Sequence, residues 1–98
     1  MKVNHIKNGT ELTIELEGRL DTTTAPDLEL DLRDALKDVT DLTLDFAKLE
    51  YISSAGLRVL LSTQKFMSKQ GSMKIVHVSD IIMEIFEVTG FTDILTIE

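Results

Sequence analysis

Ninety-eight residues suffice for one domain and leave no room for a second, so residues 1–98 are read as a single unit. With 43% hydrophobic and 28% charged residues the chain has the balance of an ordinary globular protein, and its lack of cysteine excludes disulfides, thiolate metal sites and cysteine nucleophiles. A net charge of −7 repels nucleic acid and anionic membranes at long range and suits a basic protein partner.

The opening residues, Met1 to Leu12, alternate and are polar, unlike the apolar core of a signal peptide. No segment approaches the roughly 20 apolar residues that span a bilayer. Both observations predict a cytoplasmic protein with no membrane contact.

Val3–Lys7 and Leu12–Glu17 read as two strands joined at Asn8-Gly9, a strong hairpin signal. In the second strand Leu12, Ile14 and Leu16 alternate with Thr13, Glu15 and Glu17, which buries one face. A polar loop over Gly18–Thr24 follows. Thr24 is the expected helix N-cap, with Pro26 in the first turn, and Leu28, Leu32, Ala35, Leu36 and Val39 recur at helical spacing. The first helix is therefore expected over about Ala25–Lys37.

Leu42, Leu44 and Phe46 predict a third strand, followed by a turn. Ser53-Ser54-Ala55-Gly56 leads into a second helix carrying Leu57, Val59, Leu60, Leu61, Phe66 and Met67, with Gly71 past its end. Met73, Ile75, Val76 and Val78 predict a fourth strand buried on both faces. Ser79 caps a third helix with Ile82, Ile85, Phe86 and Val88, ended by Gly90. Ile94–Ile97 has the pattern of a short closing strand. The order β-β-α-β-α-β-α, with that last strand in addition, predicts an α/β fold: an antiparallel hairpin continued by parallel strands in right-handed crossovers, with helices packed on the sheet.

Two segments could carry chemistry. In Tyr51-Ile52-Ser53-Ser54-Ala55-Gly56-Leu57-Arg58, two serines stand where a strand ends and a helix begins. The first amides of a helix lack internal partners and carry partial positive charge, so a phosphate on Ser54 would find donors in place. Capping is the commonest use of serine there, and either serine could cap. The second segment is Gly18-Arg19-Leu20-Asp21-Thr22-Thr23-Thr24-Ala25. If its strand neighbours the third one, both helix starts share an edge and Asp21 borders Ser54. Alone it reads as a turn closed by Asp21.

An enzyme is not expected. The serines lack the G-x-S-x-G elbow, and only His5 and His77 could act as a base; each is read as a partly buried strand residue. No calcium loop, histidine–carboxylate motif or glycine-rich phosphate cradle is present, so neither metal nor cofactor is expected. Met83 and Phe91 are read either as exposed apolar residues near the third helix or as core.

The chain resembles STAS domains, and within them the bacterial anti-sigma-factor antagonists. The resemblance covers essentially the full length. It rests on Gly18-Arg19-Leu20-Asp21 with Thr24-Ala25, on Leu44-Asp45-Phe46 through Tyr51–Leu57, and on Val88-Thr89-Gly90-Phe91. It implies a STAS-type, SpoIIAA-like mixed sheet flanked by helices. It also implies a switch serine at the start of the helix after the third strand, which falls on Ser54. In such antagonists an anti-sigma factor with serine kinase activity binds the unmodified form and thereby frees sigma factor. It phosphorylates the serine, the complex separates, and a serine phosphatase resets the switch. The implied contact surface is Asp21, Thr22, Thr23, Ser53, Ser54, Ala55, Gly56, Leu57 and Arg58, on a domain that is a monomer when free. Ser53 departs from the pattern, since many antagonists carry aspartate before the switch serine, and it is a second hydroxyl open to modification. Other relatives with this domain are scaffolds or subunits of transport systems, so a non-switching adaptor is the alternative function. An esterase-like enzyme using Ser54 is a third.

Overall fold

The computed structural model describes residues 1–98. Strands β1 (Lys2–Asn8) and β2 (Glu11–Leu20) form the expected hairpin, antiparallel from Lys2↔Glu17 to Asn8↔Glu11. Gly9 sits in its turn at φ 64°, a conformation that costs glycine nothing. Helix α1 (Ala25–Ala35) carries the chain to β3 (Asp41–Ile52), which pairs parallel with β2. Helix α2 (Ser54–Gln70) leads to β4 (Ser72–Val76), parallel to β3, and α3 (Asp80–Thr89) follows. The sheet order is β1-β2-β3-β4.

One face of the sheet holds the core. Leu12, Ile14 and Leu16 of β2, Leu42, Leu44 and Phe46 of β3, and Met73 and Ile75 of β4 are buried there. Leu28 and Leu32 of α1, Leu60 and Met67 of α2, and Ile82 and Phe86 of α3 belong to the same cluster. The Phe46 and Phe86 rings lie 6.4 Å apart and tilted, within the range aromatic pairs favour. The alternate residues Glu15, Glu17 and Lys74 are exposed, so the sheet is covered on one side only.

That single covered side corrects the reading of β4. Only Met73 and Ile75 are buried, while Ser72 and Lys74 face solvent. The third strand is also longer than expected. No turn follows Phe46; β3 continues to Ile52, with register shifts opposite Glu15/Glu17 and Gly18/Arg19. Those irregularities absorb the odd residue that separates Phe46 from Leu49 and let both be buried. The closing strand reduces to one parallel bridge, Ile75↔Ile97, held by Ile75 N–H to Thr96 O and Glu98 N–H to Ile75 O, each 2.9 Å. Gly90, in the left-handed conformation at φ 80°, ends α3 and sends the chain into a 3-10 turn over Phe91–Asp93 that uses the length a strand needed.

Helix α1 stops at Ala35. Leu36 is the C-cap, and Asp38 at φ 64° turns the chain so that Val39 is buried from outside the helix. At Gly71 the close approach of the Thr40 backbone leaves no space for a side chain. Phe66 is 48% exposed, although Val59 and Met67 of the same helix are buried. Met83 is half-buried, and Phe91 packs against the core. Both histidines are exposed rather than partly buried. His5 lies on the edge strand β1, and His77 stands past the end of β4 at φ 58°.

Candidate functional site

Because β2 and β3 are parallel neighbours, both end at the same edge of the sheet, with Leu20 paired to Ile52. The Ser53 N–H donates to the Leu20 carbonyl at 2.9 Å, so the start of α2 is fixed to the loop that opens α1. This juxtaposition was conditional in the sequence; the register supplies it.

The two serines divide the work. Ser53 is extended at φ −98° and ψ 176°, and its Oγ accepts from the Gly56 N–H at 3.4 Å as the N-cap. Ser54 is the first residue of the helix and is exposed. Ser53 is half-buried and committed to the cap, whereas the Ser54 side chain stands in solvent beside amides that end without helical partners. Ala55 is half-buried, Gly56 and Leu57 are buried beneath it, and Arg58 is exposed one turn on. A Cβ at Gly56 would lie 2.8 Å from both Ile52 Cγ1 and Leu20 Cγ and 3.0 Å from the Leu20 carbonyl oxygen. Glycine therefore lets α2 seat directly on the ends of β2 and β3.

Asp21 organises the second segment. Its Oδ1 accepts from the Thr23 N–H at 3.0 Å and the Thr24 N–H at 3.1 Å, and its carbonyl accepts from the Ala25 N–H at 2.8 Å. Thr24 occupies the N-cap position as expected, but its side chain makes no capping hydrogen bond. Its backbone is already helical and its hydroxyl donates to the Arg19 carbonyl at 2.8 Å while accepting from the Asp21 N–H at 2.9 Å. Asp21 reaches the orphan amides first because a carboxylate one turn earlier can face two of them at once. The Thr24 amide, chiefly, holds the Asp21 carboxyl below its ordinary value; desolvation opposes this, and the Thr23 amide, the Thr24 hydroxyl and Arg19 add to it. Asp21 is thus ionised at neutral pH. Thr22 and Thr23 are exposed at the rim.

Sequence reading missed the part played by Arg19 and Tyr51. The guanidinium lies 4.4 Å from the centre of the Tyr51 ring, and its Nε is 3.8 Å from Asp21 Oδ2. Their pairing follows from the register Arg19↔Tyr51, a relationship visible only once the strands are aligned. On the helical side, Thr22, Ala25, Pro26 and Glu29 face Ala55, Arg58 and Val59 across a hollow of about 270 Å³.

His77 is drawn elsewhere. Its Nδ1 lies 3.0 Å from Asp45 Oδ1, which also accepts from the Ala47 N–H at 2.9 Å, so it meets a carboxylate midway along β3 and not the serines at its end. His5 lies 2.6 Å from Asp31 of α1. No three histidine or acidic side chains gather in a way that could hold a metal ion, and no helix is long and apolar enough to cross a membrane.

Residues 4–96 match the family model described as "Mlab, STAS domain". The chain is 30% identical over 92 residues to the anti-sigma-B factor antagonist of Bacillus subtilis, covering 93% of this chain and 84% of that one. An anti-sigma factor antagonist from Mycobacterium paratuberculosis has the same fold, with a TM-score of 0.88 at 21% identity over 98% of this chain and 83% of that one. SpoIIAA matches in its unphosphorylated form with a TM-score of 0.77, and in its phosphorylated form, from Bacillus, with 0.76. Both are 17% identical and cover 99% of this chain, with 87% and 91% of those chains covered.

Proposed function

The chain belongs to the STAS domain family, and on that premise we propose that it is an anti-sigma factor antagonist switched at Ser54. Residues 1–98 act as one domain, monomeric when free and working in the cytoplasm. The unmodified form binds an anti-sigma factor with serine kinase activity, and sigma factor is released. In the bound state Ser54 Oγ attacks the γ-phosphorus of the kinase's ATP. The new O–P bond forms as the bond to ADP breaks, and the hydroxyl proton passes to a base of the kinase. A serine phosphatase returns the hydroxyl.

The observation that carries this reading is the exposed Ser54 beside a serine that does the capping. Modification there leaves the cap and the core untouched, so the switch acts on binding and not on folding. A phosphate adds roughly −1.5 to −2 charges at neutral pH. Buried in an interface beside the ionised Asp21 loop, that charge costs desolvation and meets a like charge. In the free domain the helix start accommodates it. The name of the Bacillus subtilis relative, and the existence of SpoIIAA in phosphorylated and unphosphorylated forms, support the assignment. The contact surface comprises the exposed Thr22, Thr23, Ser54 and Arg58 and the half-buried Asp21, Ser53 and Ala55, supported from below by Gly56 and Leu57.

The test is incubation with the cognate anti-sigma kinase and ATP, followed by mass mapping. One phosphate on Ser54, absent from Ser54→Ala, is expected. Tight binding with no transfer would instead make the chain a non-switching adaptor.

A further inference from the structure

The chain has three arginines, and two are occupied within the domain. Arg19 stacks on Tyr51 beside Asp21, and Arg33 pairs with Glu29 at 3.1 Å. Arg58 is exposed and takes part in no ion pair. It stands four residues after Ser54 on α2. Residues so spaced are neighbours on a helix surface, with Cβ atoms about 5–6 Å apart. The acidic group lies N-terminal to the basic one, which is the favourable order for such a pair.

We propose that Arg58 is the residue of this domain that answers the phosphate, a step that rests on the reading of Ser54 as the switch. Without phosphate Arg58 lines the hollow between α1 and α2, together with Thr22, Pro26 and Glu29. With phosphate on Ser54 it turns back along the helix and donates its planar fork to the phosphate oxygens. The wall of the hollow then changes together with the charge at Ser54, so phosphorylation alters two adjoining parts of the contact surface. Arg58 is a positioning residue here and takes no part in phosphoryl transfer.

The test uses the full chain with phosphoserine placed at position 54 during synthesis, so no kinase is needed. Phosphorus NMR follows the second ionisation of the phosphate against pH in the parent, Arg58→Ala, Arg58→Lys and Lys65→Ala. Arg58→Ala is expected to raise the phosphate's midpoint by about 0.3 pH unit or more, the size of a helical (i, i+4) ion pair. Arg58→Lys restores part of the difference. Lys65→Ala, about 16 Å along the helix from position 54 and beyond the screening length, leaves the midpoint unchanged. Equal midpoints in the parent and Arg58→Ala, or equal displacements in Arg58→Ala and Lys65→Ala, would overturn the pairing. Either result would leave the switch itself standing, since kinase labelling of Ser54 tests that separately.

Discussion

The Ser53 amide donates to the Leu20 carbonyl at 2.9 Å, and through that bond the ends of two parallel strands hold two helix starts together. Ser54 is presented one residue beyond the joint and Asp21 one residue beyond Leu20 on the other side. The site is therefore anchored to the sheet, although its outward residues lie on helix ends and a loop.

Ser53 and Ser54 are expected to separate stability from switching. Ser53→Ala removes the acceptor for the Gly56 amide and should cost about 1 kcal/mol, as loss of an N-cap does. Ser54→Ala, at an exposed position, should stay within about 0.5 kcal/mol of the parent while abolishing phosphorylation. Urea unfolding of both variants checks this, and a reversed order would assign the cap to the wrong serine.

Gly56→Ala forces a methyl group to within 2.8 Å of Ile52 and Leu20 side-chain atoms. Overpacking of this kind should cost about 1–3 kcal/mol. It should also tilt the start of α2 and weaken partner binding beyond what the lost stability explains. Denaturant midpoints, with affinities measured well below the transition, would show both effects; an unchanged midpoint means the helix seats with room to spare.

Asp21 gives the domain a pH dependence of definite sign. Its folded-state pKa lies below the ordinary 3.8, chiefly through the Thr24 amide, so the native state binds this proton less readily than the unfolded chain. The carboxylate's contribution is complete above the unfolded value and is lost as the pH falls through the folded one. The stability difference between the parent and Asp21→Asn should accordingly be constant near neutrality and shrink below about pH 4. Asp45 has its pKa lowered in the same sense. Burial there works to raise it, but the Ala47 amide, His77 and Lys48 outweigh that, so it adds to the acid-side loss. Urea midpoints for Asp21→Asn taken from pH 7 to pH 3 would show the convergence, and a gap that widens toward acid contradicts it.

Much of the fold was legible in the residues. Asn8-Gly9 announced the hairpin, the alternation of Leu12, Ile14 and Leu16 fixed the buried face, and Gly71 and Gly90 marked helix ends. Most of what escaped depended on partners far away in sequence. The second half of β3 hides its alternation because its register shifts against β2. The β4 pattern, Met73-Lys74-Ile75-Val76, suits one buried face as well as two, and only the packing of the helices on a single side of the sheet decides. At the site, Ser54 and the Asp21 loop could be named from the sequence. That the Ser53 side chain caps and the Thr24 side chain does not is settled by local hydrogen bonds that either residue's type would permit, and that Arg19 covers Tyr51 required the alignment of β2 with β3.

A phosphate on Ser54 is expected to decide whether the partner stays bound. The affinity of the cognate anti-sigma factor should be measured for the unmodified chain and for the chain carrying one phosphate on Ser54, in the same buffer and salt. A charge desolvated in an interface where the other protein offers it no partner costs several kcal/mol, so the phosphorylated form is predicted to bind about 100-fold more weakly or worse. Equal affinities for the two forms would contradict the account.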